Sequence, residues 1–597
     1  MIRNDERGYA LMLVVFMILL FTLLGVSILG ASLGGAVRTE TKENDVQSLH
    51  LAEKALNEAV SYLVSEYNGR LDISPDELQL YMDSLQQKDS DEIALLTGSA
   101  TNTELLGAGA QITDIEVVKD ELNDLSYKLT LTAEAEVNGV RRTLVQEVYI
   151  DSYPEFLRYA YGSEQNVIMN GSPYGMGNIY AGGELLIDNR AEYTYKGLVL
   201  REPTQYPEID GDLFVQSLAS IKYHDPLAGG YVSIPTNNPS KLKEIAGVGY
   251  ENVHIRDSSK FISINVEESF LDKAAEAAGS PPGLREELEA VFSEANLNPF
   301  IQKLVEHGVG RITYRAEPKL PNWDDADEVL AYEIERKDYE DNYLSLFNSP
   351  LTGSVIFDDD LTLDGISYKQ LVYGLDLDAV DAKSKGKWFI VNGDLKIDNY
   401  SVEDLIVKAN ILVTGTVAIT GENIKVDSTI FCLGLGEADP TTIVQDAELQ
   451  GIEENGAVKQ LVLISKPKIL LNRFEAFTNF GRFEDEATIR ANTLDAFFYT
   501  DGEAELYGVG SMFWLNGGFF AKGDLTINAV LGHVTEKPDE TGIDFNTIQS
   551  LPSVNELDSR FIIDYNKQIF EDQNTGLPRV KQISVLIGKR QLKHGSQ

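Results

Sequence analysis

The side chains that could perform chemistry in this sequence are mainly carboxylates. The 597-residue chain contains 94 Asp and Glu residues, 50 Lys and Arg residues and six histidines, which gives a net charge of −44. Paired carboxylates act as acid and base in enzymes that cleave polysaccharides, so a carbohydrate-active enzyme is one alternative function. Carboxylates occur throughout the chain, however, and no basic residue at a defined spacing distinguishes a pair of them. We therefore predict that the protein is not an enzyme and has no catalytic residues.

The sequence lacks the motifs of metal and nucleotide sites. No histidine belongs to an HExxH motif, and neither Gly386-Lys387 nor Gly588-Lys589 is followed by the Ser or Thr of a phosphate-binding loop. The acidic clusters at residues 324–328 and 358–360 do not have the register of an EF-hand calcium loop. The single cysteine, Cys432, excludes an internal disulfide and a multi-cysteine zinc site. We predict no metal and no cofactor, and the negative charge argues against nucleic acid as a partner.

The N-terminal segment predicts a long helix that begins in a membrane. After the charged octapeptide MIRNDERG there is no charged residue from Tyr9 to Val37, and about 20 apolar residues are enough to cross a bilayer. Residues 36–68 contain neither glycine nor proline, and apolar residues recur there at helical spacing. A continuous helix over residues 9–67 would be about 88 Å long. The alternatives are a secretory signal peptide, cleaved near the small residues 34–36, and a permanent anchor.

Three segments in this region carry a resemblance to a known family. They are ERG before YAL at residues 6–11, FTLLG at residues 21–25 and AEKALNEA at residues 52–59. In this order they resemble the N-terminus of type IV pilin-like proteins, specifically the minor pilins of the PilX N-terminal class. The resemblance covers about the first 65 residues.

The resemblance implies a pathway of processing and assembly. Prepilin peptidase would cut after Gly8, and Tyr9 would become the mature, N-methylated N-terminus. The helix would first cross the cytoplasmic membrane as a single pass and would later pack in the core of a filament at the cell surface. The implied partners are prepilin peptidase, other pilin-like subunits, the pilus assembly machinery and the membrane.

One position departs from the pattern of the family. Most pilins have a glutamate five residues after the cut, where this sequence has Leu13. An unpaired carboxylate in hydrocarbon is costly, so a subunit with no neighbour to receive it gains by losing it. Leu13 therefore predicts a subunit at the filament tip or in the initiation complex. The alternative is that this family tolerates an apolar residue at the position.

Small residues in the apolar segment predict close packing between neighbouring helices. Gly30 and Gly34 form a GxxxG pair, and Ser27 and Ala31 form a second pair with the same spacing. The segment GASLG also matches the G-x-S-x-G motif of hydrolases, but a membrane helix cannot form the strand–turn–helix that this motif requires.

The rest of the chain predicts two β-containing regions. In residues 69–155, YKLTLTAEAEV alternates and Asn138-Gly139 is a strong hairpin signal before VRRTLVQEVYI, as expected of a pilin-like antiparallel sheet. From about residue 156 a repeat combines apolar pairs, a glycine, usually an acidic residue, and an apolar–x–apolar end. The repeat glycines are Gly183, Gly393, Gly415 and Gly523, with Asp359 at this position in a weaker copy. The repeat favours a β-solenoid-like domain, with a β-sandwich as the alternative.

These patterns together predict an α+β fold. A long N-terminal helix and a small pilin-like antiparallel sheet precede a large mainly-β distal domain with a helical insertion. The predicted segments are the leader 1–8, the transmembrane and filament helix 9–68, the head 69–155, a first β-rich segment 156–230, a mixed helical insertion 231–350, the repeats 351–540 and a C-terminal region with a basic tail 541–597.

The predicted function is that of a minor pilin-like subunit of a type IV pilus or related filament. At the tip or in the initiation complex, it would display its β-rich domain for contact with a partner or surface, such as a surface polysaccharide or cell-wall ligand. The first alternative is an envelope adhesin that stays anchored in the membrane. The second is a secreted carbohydrate-active β-helix enzyme.

Overall fold

The chain folds into two compact units. The computed structural model describes residues 6–68, 75–86, 108–119, 127–151, 154–235, 238–256, 261, 263–312, 318–346, 353–364, 387–454, 457–472, 489, 492–537, 542–546, 558–566, 569, 576–578 and 583–593. The first unit, which we call the head unit, consists of Met1–Tyr153 and Val580–Gln597. The second, the stack unit, is Pro154–Arg579.

The helices of the described chain belong to both units. They are α1 (Glu6–Tyr67), α2 (Pro75–Gln86), α3 (Pro239–Ala246), α4 (Val266–Ala277), α5 (Leu284–Val291), α6 (Asn298–Glu306) and α7 (Ala326–Leu346).

The strands of the head unit are 10–12 residues long, and those of the stack unit range from 2 to 11 residues. The first group is β1 (Ala108–Lys119), β2 (Tyr127–Val137), β3 (Val140–Asp151), β4 (Tyr161–Ser163), β5 (Val167–Gly171), β6 (Tyr174–Met176), β7 (Ile179–Ala181), β8 (Leu185–Asp188), β9 (Arg190–Tyr195), β10 (Leu198–Pro203), β11 (Glu208–Asp210), β12 (Leu213–Val215), β13 (Ile221–Asp225), β14 (Gly230–Ser233), β15 (Val253–Ile255), β16 (Gly310–Ile312), β17 (Val355–Phe357) and β18 (Leu361–Leu363). The second group is β19 (Trp388–Val391), β20 (Leu395–Asn399), β21 (Leu405–Val407), β22 (Asn410–Val413), β23 (Val417–Val426), β24 (Ser428–Cys432), β25 (Thr441–Gly451), β26 (Glu453–Glu454), β27 (Ala457–Val458), β28 (Leu461–Ser465), β29 (Lys468–Asn472), β30 (Thr493–Thr500), β31 (Ala504–Gly508), β32 (Phe513–Ala521), β33 (Leu525–Ala529), β34 (His533–Glu536), β35 (Ile543–Asn546), β36 (Phe561–Tyr565) and β37 (Ser584–Lys593).

The head unit is a long helix packed on an antiparallel sheet. Helix α1 is continuous over 62 residues, which confirms the predicted long N-terminal helix. The sheet has the order β1–β2–β3–β37. Its core joins Ala52 and Leu56 of α1 to Leu129 and Leu131 of β2, all of them buried. Strand β2 alternates buried and half-exposed side chains because successive residues of a strand face opposite sides of the sheet.

The predicted hairpin at Asn138-Gly139 is confirmed. Strands β2 and β3 pair in antiparallel register up to Val137 and Val140, which leaves these two residues as the turn. Their φ angles are 50° and 82°, the left-handed values that a two-residue hairpin turn of this type requires.

Along the sequence, the stack unit separates β3 from β37, which are neighbouring strands of the head sheet. The chain leaves the head unit after β3 and returns to it at β37, which pairs with β3 from Asp151↔Ser584 to Thr143↔Lys593. The predicted C-terminal region 541–597 is therefore divided, because β36 belongs to the stack unit and β37 to the head unit.

The stack unit is built from strand–turn–strand units, which we call rungs. The first strands of the rungs pair in parallel as ladder A, in the order β12–β7–β4–β32–β30–β28–β24–β22–β19–β17. The second strands pair in parallel as ladder B, in the order β13–β8–β5–β33–β31–β29–β25–β23–β20–β18. Parallel stacking of this kind is solenoid-like. It differs from the antiparallel hairpins that the β-sandwich alternative requires.

The spatial order of the rungs differs from their order in the sequence. The first rung, β4–β5, stacks on the late rung β32–β33, with Tyr161 opposite Phe519 and Val167 opposite Leu525. From β4–β5 the chain adds rungs up to one end of the stack, at β12–β13. It then crosses to the opposite end, at β17–β18, and returns rung by rung to β32–β33. The predicted segments 156–230 and 351–540 thus form one stack.

The crossing between the two ends is made by part of the predicted helical insertion. Residues 256–309, which we call the connector, begin after β15, which pairs with β12, and end before β16, which pairs with β17. Its buried side chains include Val266 and Phe270 of α4 and Phe300 of α6. Because these apolar residues are buried, the segment is packed within the stack unit and links its two ends.

Candidate functional site

The first candidate functional surface is the N-terminal half of α1. The described side chains from Leu11 to Val37 lie on the surface of the unit, and the large apolar ones are 45–72% exposed. Helix α1 is long and apolar enough to cross a membrane, with a mean hydropathy of 2.9 in its most apolar window. Gly8 and Tyr9 lie in the first turns of α1, and their side chains are outside the described set. A soluble protein would bury such a surface, so this half of the helix requires a bilayer or other helices around it.

Polar groups on this surface bond within the helix. The Thr22 hydroxyl donates to the carbonyl oxygens of Ile18 and Leu19 at 2.9 and 2.8 Å. The hydroxyl of Thr39 donates in the same way to the carbonyl oxygen of Gly35 at 3.0 Å. An unbonded hydroxyl would be costly in hydrocarbon, so these bonds make the helix compatible with a bilayer.

The residues predicted for helix packing lie on the exposed part of α1. Leu13 is 60% exposed. Ser27, Gly30, Ala31 and Gly34 are also exposed, and a Cβ added to either glycine would have no neighbouring atom within 4 Å. The surface is therefore free for another helix to approach closely at these positions.

The helix changes from exposed to buried at the first contacts with the sheet. Asn44 accepts a hydrogen bond from the Asn138 side chain at 3.1 Å, and Asp45 pairs with Arg142. From this point α1 presents small and apolar residues to the sheet, beginning with Ser48 and Ala52, which are both fully buried. The head unit thus holds the C-terminal half of α1 and leaves the N-terminal half free.

The repeat glycines all lie in the turns between ladder A and ladder B. Gly415 donates its N–H to the carbonyl oxygen of Gly393 at 2.8 Å, so these two glycines are stacked directly. Gly523 bonds to Gly502 in the same way at 2.9 Å, and Gly183 bonds to Gln165. A Cβ on Gly415 would lie 2.6 Å from the Gly393 oxygen, which is too close for any other residue. The repeat glycine thus permits one turn to stack on the next.

Sequence analysis missed the role of the acidic residue in the repeat. Asp360 accepts a hydrogen bond from the backbone N–H of Asp394 at 2.8 Å, and Asp394 accepts one from the N–H of Thr416. Asp524 accepts one in the same way from the N–H of Asn166 at 3.1 Å. An oxygen of the short aspartate side chain therefore accepts a hydrogen bond from a backbone N–H in the turn of the neighbouring rung and so caps that turn. The recurring acid after the glycine was the available signal.

The second candidate surface is the line along which the connector meets ladder A. Four charged residues follow the ends of consecutive ladder A strands, and we call Lys466, Asp501, Lys522 and Glu164 the corner residues. Their backbones stack: Asp501 donates its N–H to Ser465, and Lys522 donates its N–H to Thr500, at 2.9 and 2.8 Å. The side chains consequently form a row of alternating charge.

The connector is fastened to this row by polar contacts. The Ser263 hydroxyl donates to the carboxylate of Glu164 at 2.6 Å. The Lys466 ammonium donates to the carboxylates of both Glu267 and Glu294 at 2.7 Å. These contacts pair Glu164 and Lys466 with residues of the connector, so the row of corner residues positions the connector.

An aromatic layer lies beside the corner residues. Phe261 of the connector stacks on Phe520 with the ring centroids 5.2 Å apart, and on Tyr180 at 4.7 Å. Phe520 is also parallel to Tyr499 at 6.3 Å. Such ring pairs add about 0.5–1.5 kcal/mol each beyond the burial of their area. The connector is thus held by aromatic packing as well as by charge.

The corner carboxylates give the stack unit a predicted pH dependence. Burial raises the pKa of Glu164 and of Asp501, and Lys522 offsets this only in part. The folded state therefore binds these protons more tightly than the unfolded state, so stability is lost as the pH rises from about 4 through the raised pKa values. We expect the free energy of unfolding, followed by tryptophan fluorescence, to be larger near pH 5 than near pH 8.

A matched pair of variants separates this effect from the general negative charge. The double variant Glu164→Gln and Asp501→Asn should reduce the pH dependence, whereas Glu503→Gln, at an exposed neighbouring position, should leave it unchanged. An identical slope in the wild type and the double variant would contradict the assignment to these two carboxylates.

The described residues offer little for metal or thiol chemistry. No group of three or more His, Cys, Asp or Glu side chains within the described ranges is placed to hold a metal ion. Cys432 is fully buried in the stack, and burial raises the pKa of its thiol to about 11. A buried thiol of this kind is not available as a nucleophile near neutral pH.

Comparison with known proteins yields matches only among solved structures. No protein-family model matches the sequence, and no curated protein matches it. Among solved structures, the chain is similar to the competence-associated pilin ComZ from Thermus thermophilus, with 11% identity and a TM-score of 0.19 over 92% of this chain and 98% of that chain. A TM-score this low does not establish a shared fold, and the match carries no argument about function.

Proposed function

We propose that the protein is a minor pilin-like subunit of a type IV pilus or a related filament. The observation that carries this proposal is the division of α1 into two halves. Its N-terminal half is apolar and exposed, and its C-terminal half is buried against the antiparallel sheet of the head unit. A helix of this kind can be held in the membrane and later pack against other helices while the head stays folded.

The sequence before and within α1 supports processing by prepilin peptidase. Cleavage after Gly8 would remove the charged octapeptide and leave Tyr9 as the N-terminus of the helix. The proposed partners are this peptidase, other pilin-like subunits and the assembly machinery. Before assembly the subunit would lie in the cytoplasmic membrane as a single pass, and afterwards in a filament at the cell surface.

The mature N-terminus tests the proposal. We expect mass spectrometry of the protein from native cells to find a chain that begins at methylated Tyr9. A chain beginning near Val37 would indicate a secretory signal peptide and a freely secreted protein. An intact Met1 would support the alternative of a permanently anchored envelope adhesin, and either result would overturn the filament proposal.

Leu13 supports a position at the filament tip or in the initiation complex. A subunit there has no neighbour whose terminal amine needs a carboxylate, so an apolar residue at this position is favourable. We expect antibodies against the stack unit to label isolated filaments at one end. Labelling at regular intervals along the shaft would contradict the tip position.

The stack unit is the part that the subunit would display. Its outer surface is strongly acidic and its rungs are tightly packed, which suits a stable extracellular domain that contacts a surface polysaccharide, a cell-wall ligand or a partner protein. We propose that it acts by binding, without catalysis. A secreted carbohydrate-active enzyme remains the second alternative, and turnover of a polysaccharide by the purified protein would favour it.

A further inference from the structure

Strand β37 occupies a particular place in the head unit. It is the edge strand next to β3, although the whole stack unit separates the two in the sequence. The helix and the other three strands of the sheet all precede the stack unit, at residues 6–151. The head unit therefore takes this strand from a segment that follows the stack unit.

The C-terminal segment contributes to the apolar core of the head unit. Ile583 and Val585 are 0% and 5% exposed and belong to the same buried cluster as Ala52, Leu56 and Leu144. Without them, part of the surface of α1 and β3 would be open to water. Burial of two large aliphatic side chains supplies a large part of the stability of a small domain.

Polar contacts tie β37 to both α1 and β3. The guanidinium of Arg590 donates to the side-chain oxygens of Gln146 on β3 and Asn57 on α1, each at 2.7 Å. The Gln146 amide in turn donates to the carbonyl oxygen of Gly588 at 2.8 Å, and the Val585 N–H donates to Asn68 at 3.1 Å. Gln146 is only 1% exposed, so loss of β37 would remove the partners of a buried amide.

We propose that β37 is a completion strand that makes the head unit competent for assembly only after the whole stack unit has been synthesised. A chain that ends anywhere within the stack unit lacks β37, and its α1 is then held by an incomplete core. Such a chain is excluded from the filament because its head does not remain folded. The strand thereby ensures that every assembled subunit carries a complete display domain, an inference that rests on the proposed function.

Two full-length variants test the role of the strand in detergent solution. Val585→Asp places a charge in the core of the head unit, whereas Ile587→Asp changes a residue of the same strand that is 62% exposed. Trypsin can cut after Arg141 or Arg142 in β3 only when this strand opens. We expect about 10-fold or faster cleavage there for Val585→Asp and less than about 2-fold change for Ile587→Asp, with cleavage within the stack unit unchanged.

Rescue in trans keeps the proposal testable if Val585→Asp unfolds completely. A chain truncated after residue 579 should be cut rapidly in β3, and a synthetic peptide of residues 580–597 should restore protection. Protection of the truncated chain without peptide, or equal cleavage of the two full-length variants, would overturn the proposal. These readouts do not involve a filament. If the head unit needs β37 but the protein never enters filaments, the proposed function is refuted and the role of β37 in folding of the head unit is not.

Discussion

Replacement of Gly517 by alanine is expected to unfold the stack unit or to destabilise it severely. Gly517 lies in the middle of β32 with a φ of 152°, and a Cβ at this position would be 1.9 Å from the carbonyl oxygen of Ala496 on the neighbouring strand β30. The backbone strain and the overpacking each cost about 1–3 kcal/mol, so the total loss should be about 3 kcal/mol or more. Neither strand can move away easily, because β30 is also paired with β28, and β32 is also paired with β36 at Gly517.

Chemical denaturation followed by tryptophan fluorescence measures this loss. The three tryptophans, Trp323, Trp388 and Trp514, all belong to the stack unit, so the signal reports this unit alone. The matched control is Gly229→Ala, because Gly229 has a φ of 68° but no atom within 4 Å of an added Cβ, and about 1 kcal/mol of strain is expected. Equal denaturation midpoints for Gly517→Ala and the wild type would show that β32 is not packed as described.

If α1 spans the membrane as proposed, replacement of Leu19 by lysine is expected to weaken its insertion. Leu19 lies within the charge-free part of α1 and is 54% exposed. A lysine at the centre of a membrane-spanning helix costs about 2.5–3.5 kcal/mol, which corresponds to about a 100-fold change in the partition between membrane and water. On the proposed function, we therefore expect a smaller share of the variant than of the wild type in the membrane fraction and in filaments.

The matched control changes the same position without a charge. Leu19→Ala retains an apolar surface and should remain in the membrane fraction after alkaline extraction. Retention of Leu19→Lys to the same extent as Leu19→Ala would contradict a membrane-spanning role for this half of α1. Because Leu19 belongs to the head unit and the three tryptophans belong to the stack unit, neither variant should alter the fluorescence-detected unfolding of the stack unit.

These two variants address different parts of the molecule and so separate folding from anchoring. Gly517→Ala should destabilise the stack unit without changing the membrane fraction of the protein. Leu19→Lys should lower the membrane fraction without changing the unfolding of the stack unit. If the two single variants gave the same defect, this result would imply that the units do not fold separately.

Features that depend on residues near one another in the sequence were predictable from it. The charge-free run and the apolar periodicity determine α1, and Asn138-Gly139 determines the hairpin, because each is a property of local backbone conformation. The repeat glycines were visible in the sequence as a recurring pattern that marks the turns between the ladders, although the contact that requires them is made with the turn of the neighbouring rung. The sequence also determined that no metal or nucleotide motif is present.

Features that depend on pairing between distant strands were decided only by the tertiary structure. In a parallel ladder each strand bonds to a neighbour through backbone groups that all residues share, so the sequence does not specify which rung lies next to which. For this reason the stacking of β4–β5 on β32–β33, the crossing of the connector and the return of β37 to the head sheet could not be predicted. The basic C-terminal tail was visible in the sequence, but the two partners that hold Arg590, the buried Gln146 and the exposed Asn57, lie 444 and 533 residues away along the chain.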